Sequence, residues 1–168
     1  MLRGLCTFVL LVGTFAQAAE KPAVVTLFED DVDELVPQLT NNEDPEWKNI
    51  KAVAEEKDVF SGKRSLLVSP FQRFSPVIRG WKFPIVEKPA LGEYRYVRFA
   101  WKKLGPDPIM VQFCGADGSD EVRWNHRYHA GPEGMPWPSK QVTSKIPTEW
   151  QVVTRDLYKD FGAFVLHG

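Results

Sequence analysis

The chain has 168 residues, with 21 basic and 22 acidic side chains and a formal charge of −1. That balance offers no basic field for holding phosphates, so nucleic acid is a poor partner. Past the first residues no apolar stretch approaches the roughly 20 residues that a spanning helix needs.

Residues 1–18 read as a cleavable secretory signal peptide. Met1-Leu2-Arg3 is a positive n-region, residues 5–12 are an apolar core, and Ala16-Gln17-Ala18 is a small-x-small cleavage pattern. Cleavage is expected after Ala18 or Ala19. Cys6 lies inside the apolar run, too early to be a lipidated cysteine. The expected location is outside the cytoplasm, secreted or periplasmic. Cys6 leaves with the signal, so Cys114 has no intramolecular partner and the fold must rest on its core. Within the strand-like run 109–114, Cys114 reads as a buried structural thiol. Residues 19–168 suffice for one domain.

Residues 24–28, Val-Val-Thr-Leu-Phe, read as an opening strand. Residues 33–57 are polar and acidic, broken at Pro37 and Pro45, and only 45–51 suit a helical turn. Ser61-Gly62-Lys63 reads as a turn launching a strand over 65–69. Residues 77–86 read as extended, broken at Pro84, and Pro89, Gly92 and Glu93 as a loop. The clearest strand is 94–103, where Val97, Phe99 and Trp101 alternate with Tyr96, Arg98 and Ala100. Gly105-Pro106-Asp107-Pro108 is a turn leading into a strand over 109–114. A polar turn at 115–120 precedes a strand over 122–129. Residues 131–139 form a long loop. A strand over 150–157 and another opening at 164–166 follow. Parallel α/β folds need long amphipathic crossover helices, which are missing here. The expected class is all-β: an antiparallel two-sheet sandwich with Val97, Phe99, Val111 and Val153 buried.

Three segments carry a resemblance. They are Val59-Phe60-Ser61-Gly62-Lys63-Arg64-Ser65-Leu66-Leu67-Val68, the stretch from Gly92-Glu93-Tyr94-Arg95 through Trp101-Lys102-Lys103, and Trp150-Gln151-Val152-Val153-Thr154-Arg155-Asp156-Leu157 with Asp160-Phe161-Gly162. Together they resemble the galactose-binding-like jelly-roll superfamily, home of many carbohydrate-binding modules. They resemble most the jelly-roll modules appended to large secreted bacterial proteins. The likeness covers residues 58–168. It implies a jelly roll and a binding rather than catalytic role. Such modules continue past the segment matching residues 164–168 with a further strand or two. The resemblance therefore implies a jelly roll lacking its last strand or strands, with an open edge at 164–166.

His126 and His129 lie three apart on a strand and so on opposite faces, which is wrong for one metal. They are expected to be solvated or capping side chains. Gly-x-Ser-x-Gly is absent, Gly131-Pro132-Glu133-Gly134 is no phosphate loop, and nothing selects a catalytic pair among Glu93, Glu121, Glu133 and Glu149. The chain is read as a non-enzyme.

The aromatic residues say most. Of the six tryptophans, Trp101 and Trp150 sit in apolar alternation and read as core. Trp124 and Tyr128 share a strand face among polar neighbours, and Trp137 lies between Pro136 and Pro138. Trp124, Tyr128 and Trp137 form the candidate platform for stacking a pyranose, with Arg123, Asn125 and Arg127 as polar partners. The alternative packs Trp124 and Tyr128 under the 131–139 loop.

Glu29, Asp30 and Asp31, with Asp33, offer carboxylates to a calcium ion. The resemblance implies a structural calcium held by an early acidic residue and a C-terminal one, the latter missing here; a solvated acidic loop is the other reading, and no other cofactor is expected. Two functions compete. One is a secreted non-catalytic module binding carbohydrate or another surface polymer. The other is a structural or interaction domain docking on another protein chain. Exposure of Trp124 and Trp137 on one surface favours the first.

Overall fold

The computed structural model describes residues 24–29, 32–39, 52–68, 77–118 and 121–168, and strands dominate them. A short helix α1 (Val32–Leu39) comes first, turning Val32 and Leu35 inward, with Asp33 and Glu34 in its first turn where the helix dipole favours acids. Strands β1 (Ala52–Glu55) and β2 (Ser65–Val68) pair as an antiparallel hairpin, Glu55 opposite Ser65. Its connection turns at Gly62 (φ 70°), a left-handed conformation that favours glycine.

The other strands form two sheets. β3 (Phe83–Ile85), β4 (Tyr96–Trp101), β5 (Ile109–Ala116), β6 (Arg123–Ala130), β7 (Lys140–Thr143), β8 (Gln151–Asp156) and β9 (Phe164–Leu166) follow in chain order, with helix α2 (Leu157–Phe161) between the last two. A five-stranded sheet runs β3-β9-β5-β6-β7, while β4 and β8 make a two-stranded antiparallel ribbon.

Alternation decides what the ribbon and the sheet bury. Val97 and Trp101 of β4 and Val153 of β8 turn inward. Phe113, Tyr128, Phe164, Leu166 and Ile85 meet them from the five-stranded sheet, with Leu157 of α2. Burying each large side chain of this set stabilises by roughly 1.5–3 kcal/mol relative to exposure. Gly115 lets β9 approach: a Cβ there would lie 2.5 Å from Phe164 Cδ2 and 3.1 Å from the Val165 carbonyl.

Helix α2 follows from its cap. Asp156 sits in extended conformation and accepts a hydrogen bond from the Lys159 N–H at 3.0 Å. Arg95 grips the same carboxylate with Nε and Nη2 (2.7 Å at the shortest) and holds it below the usual carboxylate range. Arg95 thus ties the approach to β4 onto the end of β8.

The four expected strands over 94–103, 109–114, 122–129 and 150–157 are β4, β5, β6 and β8, and β4–β8 and β5–β6 pair antiparallel. Val97 and Val153 are buried; Phe99 and Val111 are half-buried and pack against the core. Several expectations need correction. Residues 24–28 are not a strand, and Val24 is exposed, since no strand among the described residues pairs with them. The acidic stretch after them holds α1, and β1 forms within the polar segment 33–57, where no strand was expected, with β2 as its partner. Pairing is not wholly antiparallel, since β7 runs parallel to β6. The register sets Lys140 beside Tyr128, so the 131–139 loop has to carry the chain back only about two residues along β6, which nine residues can span. Trp150 is half-buried against Phe60, its Nε1 donating to Asp58 at 2.8 Å, rather than central in the core.

The strand at 164–166 has no open edge. It lies inside the sheet, with Phe164 opposite Ile85 on one side and Leu166 opposite Gly115 on the other. β3 occupies the edge instead. Pro84 suits that place, because its carbonyl accepts from the Tyr94 N–H on the outer side, where its missing N–H also falls. The helical turn expected at 45–51 and the signal peptide expected at 1–18 lie outside the described residues.

Candidate functional site

Strand β6 presents two rows of side chains. Trp124, His126, Tyr128 and Ala130 share the row that turns toward the ribbon and α2, and Arg123, Asn125, Arg127 and His129 share the other.

Tyr128 is fully buried, which removes it from any sugar platform. Its hydroxyl donates to Asp160 Oδ2 at 2.7 Å, and the same oxygen takes Arg155 Nε at 2.9 Å and Nη2 at 2.7 Å. The Arg155 guanidinium lies 5.1 Å over the Tyr128 ring. Burial and the Asp160 carboxylate push the phenol pKa up. The polar sequence around Tyr128 belongs to the opposite row, and for that reason it misleads.

The three expected polar partners are engaged within the fold. Arg123 pairs with Glu121 at 2.7 Å, Asn125 donates to Asp117 at 2.7 Å, and Arg127 donates to the Gln112 side chain and the Pro138 carbonyl. Trp124 is 40% exposed, but it stands on the row of Tyr128, beyond the end of the core.

Neither histidine is solvated; His126 and His129 are 3% and 4% exposed. They do occupy opposite faces. His126 stacks on Phe164 (centroids 3.9 Å apart, planes 17° apart) with Phe161 at its edge, and its Nδ1 has no hydrogen-bond partner. Burial lowers its pKa from the ordinary 6.5, Asp117 opposing. The unfolded chain then binds the extra proton first. Stability is expected to hold above about pH 7 and to fall as pH drops through the unfolded value near 6.5. The low-pKa carboxylates of Asp58 and Asp156 act only in a lower window, below their ordinary 3.8 and toward their depressed folded values. Denaturant titrations between pH 8 and 5 check this. An unchanged midpoint across that range would contradict the buried neutral imidazole.

On the other face the 131–139 loop folds over His129. Ser139 Oγ lies 2.8 Å from His129 Nδ1, and His129 Nε2 has no hydrogen-bond partner. Gly131 starts the loop with φ 125°, and a Cβ there would sit 2.9 Å from Pro108. Gln141 of β7 donates from its amide to the Gly131 carbonyl at 2.9 Å, closing the loop base. Between loop and strand lies an open cleft of about 360 Å³, lined by His129, Glu133, Met135, Trp137, Ser139 and Gln141 among others. Trp137 is 57% exposed there. Of the expected platform, this cleft holds Trp137 alone, while alternation leaves Trp124 on the far row. Sequence reading missed His129, Ser139 and Gln141. The available signal was the loop itself, whose prolines and glycines mark a long connection after β6 without fixing the face it covers.

Cys114 is buried, and burial pushes its thiol up to about 12, which keeps it protonated at neutral pH. Among the described residues no group of three or more His, Cys, Asp or Glu side chains is placed to hold a metal. Glu29 is exposed, Asp33 pairs with Arg64 at 2.9 Å, and Asp30 and Asp31 lie outside the described residues. No helix among the described residues is long and apolar enough to cross a membrane. No protein-family model matches the chain, and neither a curated protein nor a solved structure matches it significantly.

Proposed function

We propose that this chain is an exported, non-catalytic jelly-roll module that binds carbohydrate, and that its binding site is the cleft under the 131–139 loop. The observation that carries the reading is Trp137. An indole that is 57% exposed, held between two prolines and flanked by Ser139, Gln141, Glu133 and His129, offers what a pyranose uses. The apolar face of a sugar stacks on the ring while neighbouring polar groups take its hydroxyls. Flanking prolines restrict the backbone, so little conformational freedom is lost on binding. Export follows from the signal-like residues 1–18, and the jelly roll from the resemblance over 58–168.

Affinity electrophoresis through gels carrying neutral polysaccharides tests it. Trp137→Ala is expected to weaken retention by about fivefold or more, because a stacked ring contributes on the order of 1 kcal/mol beyond its area. The melting temperature should barely move, since the side chain is more than half exposed. Trp124→Ala should leave retention within about twofold. Retention that survives Trp137→Ala but not Trp124→Ala would move the site to the far row of β6. A protein retained by no glycan would leave the structural or interaction reading in its place.

A further inference from the structure

The cleft's polar groups divide into those already engaged and those still free. Ser139 Oγ is held by His129 Nδ1, and the Gln141 amide by the Gly131 carbonyl. Two groups remain. His129 Nε2 has no hydrogen-bond partner although the residue is 96% buried, a state that costs on the order of a hydrogen bond's desolvation. Among the described residues the Glu133 carboxylate makes no hydrogen bond or ion pair. No lysine or arginine lines the cleft, and the nearby Arg127 is tied to Gln112 and the Pro138 carbonyl.

From this inventory we infer that the cleft discriminates by charge. It takes an uncharged sugar polymer and rejects one bearing carboxylates, and Glu133 is the specificity-determining residue. The inference rests on the carbohydrate reading and narrows its ligand class. A sugar hydroxyl can donate to the Glu133 carboxylate, which lines the open side of the cleft. A uronate placed on the same ring would face a fixed negative charge with no lining cation to offset it.

The test uses pairs of polymers that share a backbone and differ in C6 oxidation. Cellulose is compared with C6-carboxylated cellulose, and β-galactan with polygalacturonate, at low and moderate salt. The neutral member of at least one pair should retain the protein, and its oxidised partner should retain it several-fold less at low salt. Glu133→Gln should narrow that gap, read as the ratio of neutral to oxidised retention, by roughly threefold. Glu149→Gln makes the same charge change at an exposed acid that does not line the cleft, and should leave the gap intact. Equal retention of both members by the unaltered protein overturns the charge selection while the carbohydrate reading stands. The same holds if Glu149→Gln narrows the gap as much as Glu133→Gln does, because net charge is then the cause. Retention by neither neutral polymer overturns both.

Discussion

Phe164→Ala is expected to lower stability by about 4 kcal/mol, the largest loss of any single truncation considered for this fold. Phe164 is 4% exposed and central in the core cluster. Its ring stacks on His126 and lies against Gly115, so truncation removes contacts from β5 and β6 together. The cavity cannot collapse easily, because β9 is paired on both sides and its backbone is held in register. Denaturant unfolding should show a reduced midpoint at unchanged slope, and the melting temperature should fall by roughly 10 °C. Gly115→Ala gives a linked check. Alone it forces a Cβ into the Phe164 ring and is expected to cost about 1–3 kcal/mol. In the Phe164→Ala background the ring contact is gone and only the 3.1 Å approach to the Val165 carbonyl remains, so the same methyl should cost less. Additive losses would show that Phe164 does not fill the space above Gly115.

Asp160→Ala should cost about 3 kcal/mol. The carboxylate is 12% exposed and one of its oxygens serves both the Tyr128 hydroxyl and Arg155. Removing it strands a fully buried phenol hydroxyl, worth about 1–3 kcal/mol, and unpairs a guanidinium. Arg155 is 31% exposed and water recovers part of its solvation, which keeps the total below that of a fully buried ion pair. Tyr128→Phe removes the hydroxyl but leaves Asp160 with Arg155, so its cost should be nearer 1 kcal/mol. A Tyr128→Phe loss equal to that of Asp160→Ala, in chemical denaturation, would refute the shared-oxygen arrangement.

Much of the ribbon and sheet was legible because period-2 alternation records burial directly. Val97 and Trp101 could be placed inward before any partner was known. Tyr128 could not. Its row is buried by Leu157, Phe161 and Phe164, which arrive from the far end of the described chain, and its sequence neighbours belong to the wet face. The same ambiguity hid the histidines. His129 is on the outer row, as its spacing requires, yet the 131–139 loop covers it, and no local pattern announces a loop's landing place. β7 was invisible for another reason: Lys-Gln-Val-Thr is neutral in propensity, and only pairing with β6 makes it a strand. Helix α2 had a local signal, the Asp156 cap, but five residues are too few for helical periodicity to register. For the candidate site, Trp137 was legible from its flanking prolines, whereas its companions depended on tertiary closure.

The interior position of β9 has a kinetic consequence. Its pairings join Phe164 to Ile85 and Leu166 to Gly115, and β8 likewise reaches back from Asp156 to Tyr96. Among the described strands, only β1–β2, β5–β6 and β6–β7 join neighbours in sequence. As the chain leaves the ribosome, β3 and β4 must therefore wait for partners made much later, while the β5–β6 hairpin can form at once. Such long loops close slowly, because chain entropy is lost before the distant contacts compensate for it. Folding should begin at the β5–β6 hairpin and finish with the insertion of residues 164–166 between strands that have stood apart until then.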